Sequence, residues 1–113
     1  MESARLRQRP YHKAMQPTDK QLRFLRGRAH GLKPVIQIGN QGLNAGVLAE
    51  TRRALADHEL IKLRLPGADR AARDALLAEL VSATSSALVT RIGHVAVLFR
   101  ANPKLTRFPL PDA

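Results

Sequence analysis

The sequence predicts an α/β domain in the order α-β-α-β-α-β-β, with its strands joined in a mixed four-stranded sheet. Three observations carry that expectation. Segments with helical spacing of apolar residues alternate with short apolar or period-two segments. Each strand–helix–strand unit calls for a right-handed parallel crossover. The last two strands are separated only by Gly93-His94, and a two-residue loop with Gly first suits a type II′ antiparallel hairpin.

The first helix starts at Thr18, with Gln21 three residues on in a capping-box pattern. Leu22, Leu25 and Ala29 share its core face, Arg23, Arg26 and His30 line another, and Gly31 and Pro34 end it. Val35–Ile38 is a short, nearly all-apolar strand, followed by Gly39-Asn40-Gln41-Gly42. Asn44 caps a second helix running to about His58, with Val47, Leu48, Thr51 and Leu55 inward and Glu50, Arg53 and Asp57 outward. Leu60–Leu65 alternates, so Ile61, Leu63 and Leu65 face the core while Lys62 and Arg64 face away. Pro66-Gly67 breaks the chain, and Asp69 caps a third helix to about Thr84 that buries Leu76, Leu77, Leu80 and Val81. Strands at Ala87–Ile92 and Val95–Arg100 complete the domain. Three segments result: a flexible basic arm over 1–17, a folded domain over 18–100, and a Pro-containing C-terminal tail over 101–113.

A chain of 113 residues has room for one core, not two. Nineteen Lys and Arg against nine Asp and Glu leave a net charge of +10, a surface that attracts polyanions. Residues 1–30 carry eight basic and two acidic side chains, more than half of the excess. The arm, with Arg5, Arg7, Arg9 and Lys13, is either a solubilising tail or a phosphate-seeking extension. The absence of Cys excludes disulfides, thiolate zinc sites, iron–sulfur clusters and thiol nucleophiles. The longest apolar run, Val95–Phe99, falls far short of the roughly 20 residues a membrane-spanning helix needs. The N-terminus lacks the apolar core of a secretory signal. A soluble cytoplasmic protein, monomeric and with no membrane partner, is the expectation.

The Gly39-x-x-Gly42 loop runs from a strand into a helix start, where backbone amides and the helix dipole favour an anionic oxygen. A plain strand-to-helix turn uses two glycines as well, so the spacing alone leaves both readings open. Neither a Walker A loop nor a dinucleotide fingerprint occurs. Lys62 and Arg64 can line an open sheet face or simply be solvated. With Tyr11, Phe24, Phe99 and Phe108 the only aromatics, a platform of stacked bases on adjacent strands is not expected. His12, His30, His58 and His94 show no metal-ligand spacing, and Asp57-His58-Glu59 points in different directions on a helix. No cofactor, metal site or catalytic constellation is expected.

Ala29-His30-x-Leu32-Lys33-Pro34, Ile38-Gly39-x-x-Gly42-Leu43, Gly46-Val47-Leu48 and His58-Glu59-Leu60-Ile61-Lys62 occur in that order. Together they resemble the YhbY-like bacterial proteins, stand-alone versions of the CRM (chloroplast RNA splicing and ribosome maturation) domain. The resemblance implies a fold similar to the C-terminal domain of translation initiation factor three, and RNA binding in association with precursors of the large ribosomal subunit. It implies an RNA-contacting loop at Gly39, Asn40, Gln41 and Gly42, and includes Lys62 in its His-Glu-Leu-Ile-Lys segment. Many CRM domains place a basic residue inside the loop. Here Asn40 and Gln41 stand there, which shifts weight to Lys33, Arg26, Arg28 and Arg53, with Arg64 beside Lys62 on the strand. The expected function is a non-catalytic rRNA-binding module in large-subunit assembly. The rival is a basic adaptor for an acidic protein, with the charge serving only to steer association.

Overall fold

The computed structural model describes residues 16–67 and 69–112. The arm residues Arg5, Arg7, Arg9 and Lys13 lie outside this range. Among the described residues there are three helices, α1 (Asp19–Ala29), α2 (Ala45–His58) and α3 (Arg70–Thr84), and four strands, β1 (Pro34–Gln37), β2 (Leu60–Arg64), β3 (Ala87–Ile92) and β4 (Val95–Phe99). The sheet order is β1-β2-β4-β3. β1 and β2 are parallel, and β4 runs antiparallel between β2 and β3. This is the mixed four-stranded α/β sheet read from the sequence.

Each helix starts where a side chain takes up an orphan amide. Thr18 and Gln21 form the full capping box of α1. The Asn44 side chain accepts from the Val47 amide, and that of Asp69 from the Ala72 amide. Strand ends differ from expectation by one residue: β1 runs Pro34–Gln37 rather than Val35–Ile38, starting on an edge where the missing N–H of Pro34 costs no ladder bond, β2 stops at Arg64 rather than Leu65, and β4 stops at Phe99. The β3–β4 turn has Gly93 at φ +60, the positive φ that a type II′ turn requires at its first central residue.

The two sheet faces are covered unequally. On one face Ile61, Leu63, Leu65, Ile36, Ile38, Ala96 and Leu98 pack under α2 and α3, which contribute Leu55, Leu77 and Leu80. On the other, Leu25 and Ala29 of α1 sit on Leu60, Val89, Val97 and Phe99. One helix cannot cover four strands, so among the described residues part of this second face stays open.

The segment after β4, expected as a tail, lies along the flank of α1. Phe108 and Leu110 pack against the α1 cluster beside Leu22, Phe24 and Leu32. The Arg28 guanidinium sits 5.9 Å and 5.8 Å from the Phe24 and Phe108 ring centres, within cation–π range. Gln21 donates to the Pro111 carbonyl at 2.8 Å. The anchor is Glu59, buried just after α2 at φ +65. Its two carboxylate oxygens accept from the Asn102 and Arg107 amides, each at 2.5 Å.

Candidate nucleic-acid interface

Cross-strand register places the open face in two rows, since directly paired residues share a face. One row is Gln37, Arg64, Val95 and Ile92; the next is Pro34, Lys62, Val97 and Thr90. A third, Leu60, Phe99 and Ala87, lies towards the end of the sheet that α1 covers. Lys62 is half-buried and Arg64 exposed, whereas Ile61 and Leu63 are buried. Arg26 of α1 and His30, the C-cap four residues on, stand over the open rows. With Lys62, Thr90, Ile92, Val95 and Val97 they bound a hollow of about 190 Å³. A second hollow of about 350 Å³ lies on the other side of Lys62, between Lys33 and Val35 near the sheet edge and Arg107 and Phe108.

The Gly39–Gly42 loop adjoins the first row. The Ile38 amide donates to the Arg64 carbonyl at 2.9 Å, so the chain leaves the sheet beside Arg64. The Gly42 amide closes the turn on the Gly39 carbonyl at 3.0 Å, and Gly42 has φ +75. Its glycine identity answers to backbone conformation. The exposed Asn40 and Gln41 form the tip, and among the described residues their amides have no backbone acceptor. α2 follows after Leu43 and its cap Asn44, whose side chain accepts from the Val47 amide.

Among the described residues, acids are absent from this part of the surface, and Asp19 stands in the first turn of α1, at the opposite end of that helix from Arg26 and His30. None of the residues in the two rows or on the α1 side of the first hollow is acidic. Glu50 and Asp57 lie on α2, and Asp74 and Glu79 on α3, across the sheet. There Asp74 holds Arg91 at 2.6 Å. Among the described residues, no group of three or more His, Asp or Glu side chains is placed to hold a metal ion.

Residues 18–100 match the family model of the CRS1 / YhbY (CRM) domain. The chain belongs to that family. It is 48% identical over 81 residues to a protein of Haemophilus influenzae named as an RNA-binding protein, covering 72% of this chain and 82% of the relative. A Pseudomonas aeruginosa protein, also named for RNA binding, is 48% identical over 87 residues, or 77% and 84% of the two chains. The solution structure of a hypothetical protein from Staphylococcus aureus, offered there as a candidate RNA binder, superposes with a TM-score of 0.74. It is 34% identical and covers 83% of this chain and 98% of that one.

In this CRM domain the structure gathers some of the residues singled out from the sequence and disperses others. Arg26 and Lys62 line the first hollow, Lys33 and Lys62 the second, and Arg64 pairs with Gln37 just before the chain enters the Gly39-Asn40-Gln41-Gly42 turn. Arg28 is drawn to the flank of α1 by Phe24 and Phe108. Arg53 is exposed on α2, in the layer on the opposite face of the sheet. The sequence pattern put His30 on the Arg26 face with a structural role only, and it gave no role to Thr90, Ile92 or Val95. The signal for the last two was present: both fall at the Gly93-His94 turn, where an antiparallel pair places them side by side.

Proposed function

We propose that this CRM domain binds RNA on the face formed by the Gly39–Gly42 loop and the two open rows of the sheet. The observation that supports this reading most is the coincidence of three features on one surface. Arg26, Lys33, Lys62 and Arg64 border it, none of its described residues is acidic, and the chain leaves it beside Arg64 into the exposed residues Asn40 and Gln41. Phosphates are held by such cations and amides, while base edges and shape carry discrimination. The names of its relatives agree with the same ligand. The RNA is rRNA within precursors of the large ribosomal subunit, and the domain acts there as a monomeric assembly factor in the cytoplasm. Residues 1–17 add phosphate contacts without discrimination.

The test is co-purification of the full chain with large-subunit precursors, with and without complete nuclease digestion. Loss of the partner on digestion supports the RNA reading. Recovery of the same partner from digested material replaces it with the adaptor.

A further inference from the structure

The geometry points to a binding pocket for a single unstacked nucleobase, formed between Arg26 of α1, its C-cap His30 and the β3–β4 end of the open sheet face. This inference deepens the RNA reading and rests on it. The floor is aliphatic: Val97 is buried, Val95 half-buried, and Ile92 is 76% exposed, the most exposed of the large hydrophobic residues described. Among the described residues no element covers this isoleucine, which lies beside the two valines. Around the floor stand two cations and an imidazole, Arg26, Lys62 and His30, with the Thr90 hydroxyl as a neutral hydrogen-bonding group.

Size and charge select the occupant. About 190 Å³ is below the roughly 300–1,000 Å³ of pockets that enclose drug-sized molecules, which suits one flat ring rather than a whole nucleotide. A base offers an apolar ring face to Ile92 and Val95. Its own phosphate, on a chain already drawn to Lys62 and Arg64, stays outside at the rim. Arg guanidinium planes stack on bases where aromatic rings are lacking, and among the described residues no aromatic lines this hollow. Duplex RNA keeps its bases stacked and cannot fill the pocket. The domain therefore favours single-stranded segments without the aromatic platform used elsewhere for that purpose.

The test uses the full chain, with methyl NMR and binding isotherms for three probes: an eight-residue single-stranded RNA, a ribose-phosphate strand of equal length without bases, and a duplex. The single strand is expected to shift the Ile92 and Val95 methyl signals. It should bind about tenfold more tightly than the abasic strand. Ile92→Ser leaves the charge unchanged and alters an exposed position, so the protein stays folded. It should remove most of that advantage while the salt dependence of binding stays the same. Equal affinity for the two strands, with silent Ile92 and Val95 methyls, overturns the pocket but leaves RNA binding standing. Failure of wild-type protein to bind any of the probes overturns both.

Discussion

At Leu63 and Arg64, adjacent residues face opposite environments. Leu63 is wholly buried under α2 and α3, and Arg64 is exposed on the open face. Leu63→Ala is expected to cost about 2–5 kcal/mol as a core truncation, and Arg64→Ala to stay within about 0.5 kcal/mol of wild type. Denaturant melts of the two variants check this, and similar losses would contradict the face assignment. The loop glycines divide in the same manner. A Cβ at either Gly39 or Gly42 meets nothing within 4 Å, but only Gly42 has a positive φ. Gly42→Ala should therefore lose about 1–2 kcal/mol from backbone strain, while Gly39→Ala should melt close to wild type.

Among the elements, β2 was legible in the sequence because its alternation of Ile61, Leu63 and Leu65 with Lys62 and Arg64 is a local property. The hairpin was legible because Gly93-His94 leaves few alternatives. The ordered path of residues 101–112 was not. It depends on Glu59, whose backbone is turned to φ +65 and whose carboxylate is buried to meet two amides more than 40 residues away. No periodicity reports a contact of that range, and three prolines by themselves read as a tail. The proposed RNA face was half legible for the same reason. Charge and glycine spacing marked the loop and the strand cations, but only the sheet register and the limited reach of α1 separate Arg26 from Arg28. Two predictions follow from this packing. Removing residues 101–113 uncovers apolar surface around Phe24 and Leu32 and should destabilise the domain by about 2–4 kcal/mol, read by thermal melting. Glu59→Ala leaves the Asn102 and Arg107 amides without their charged acceptor and should cost about 2–3 kcal/mol. A stable, wild-type melt for either variant would show that the segment contributes no packing.

Over the whole molecule, the sheet separates a mixed-charge side, with α2 and α3, from a basic side with α1 and the loop. No helix among the described residues is long and apolar enough to cross a membrane. Deleting residues 1–17 removes four basic side chains and one acid. If about three of those charges neutralise phosphates, the slope of log K against log salt should become shallower by roughly two, with RNA preference retained. The central claim is that RNA lies on the loop-and-sheet face. Fluorescence anisotropy with a single-stranded RNA tests it most directly, comparing the double variant Arg26→Glu/Arg64→Glu with Arg53→Glu. All three positions are exposed, so both proteins should fold. The double variant should lose at least about tenfold in affinity with a shallower salt slope, and Arg53→Glu should stay within about twofold of wild type. Equal weakening in both, or a larger loss for Arg53→Glu, would contradict the assignment of RNA to this face.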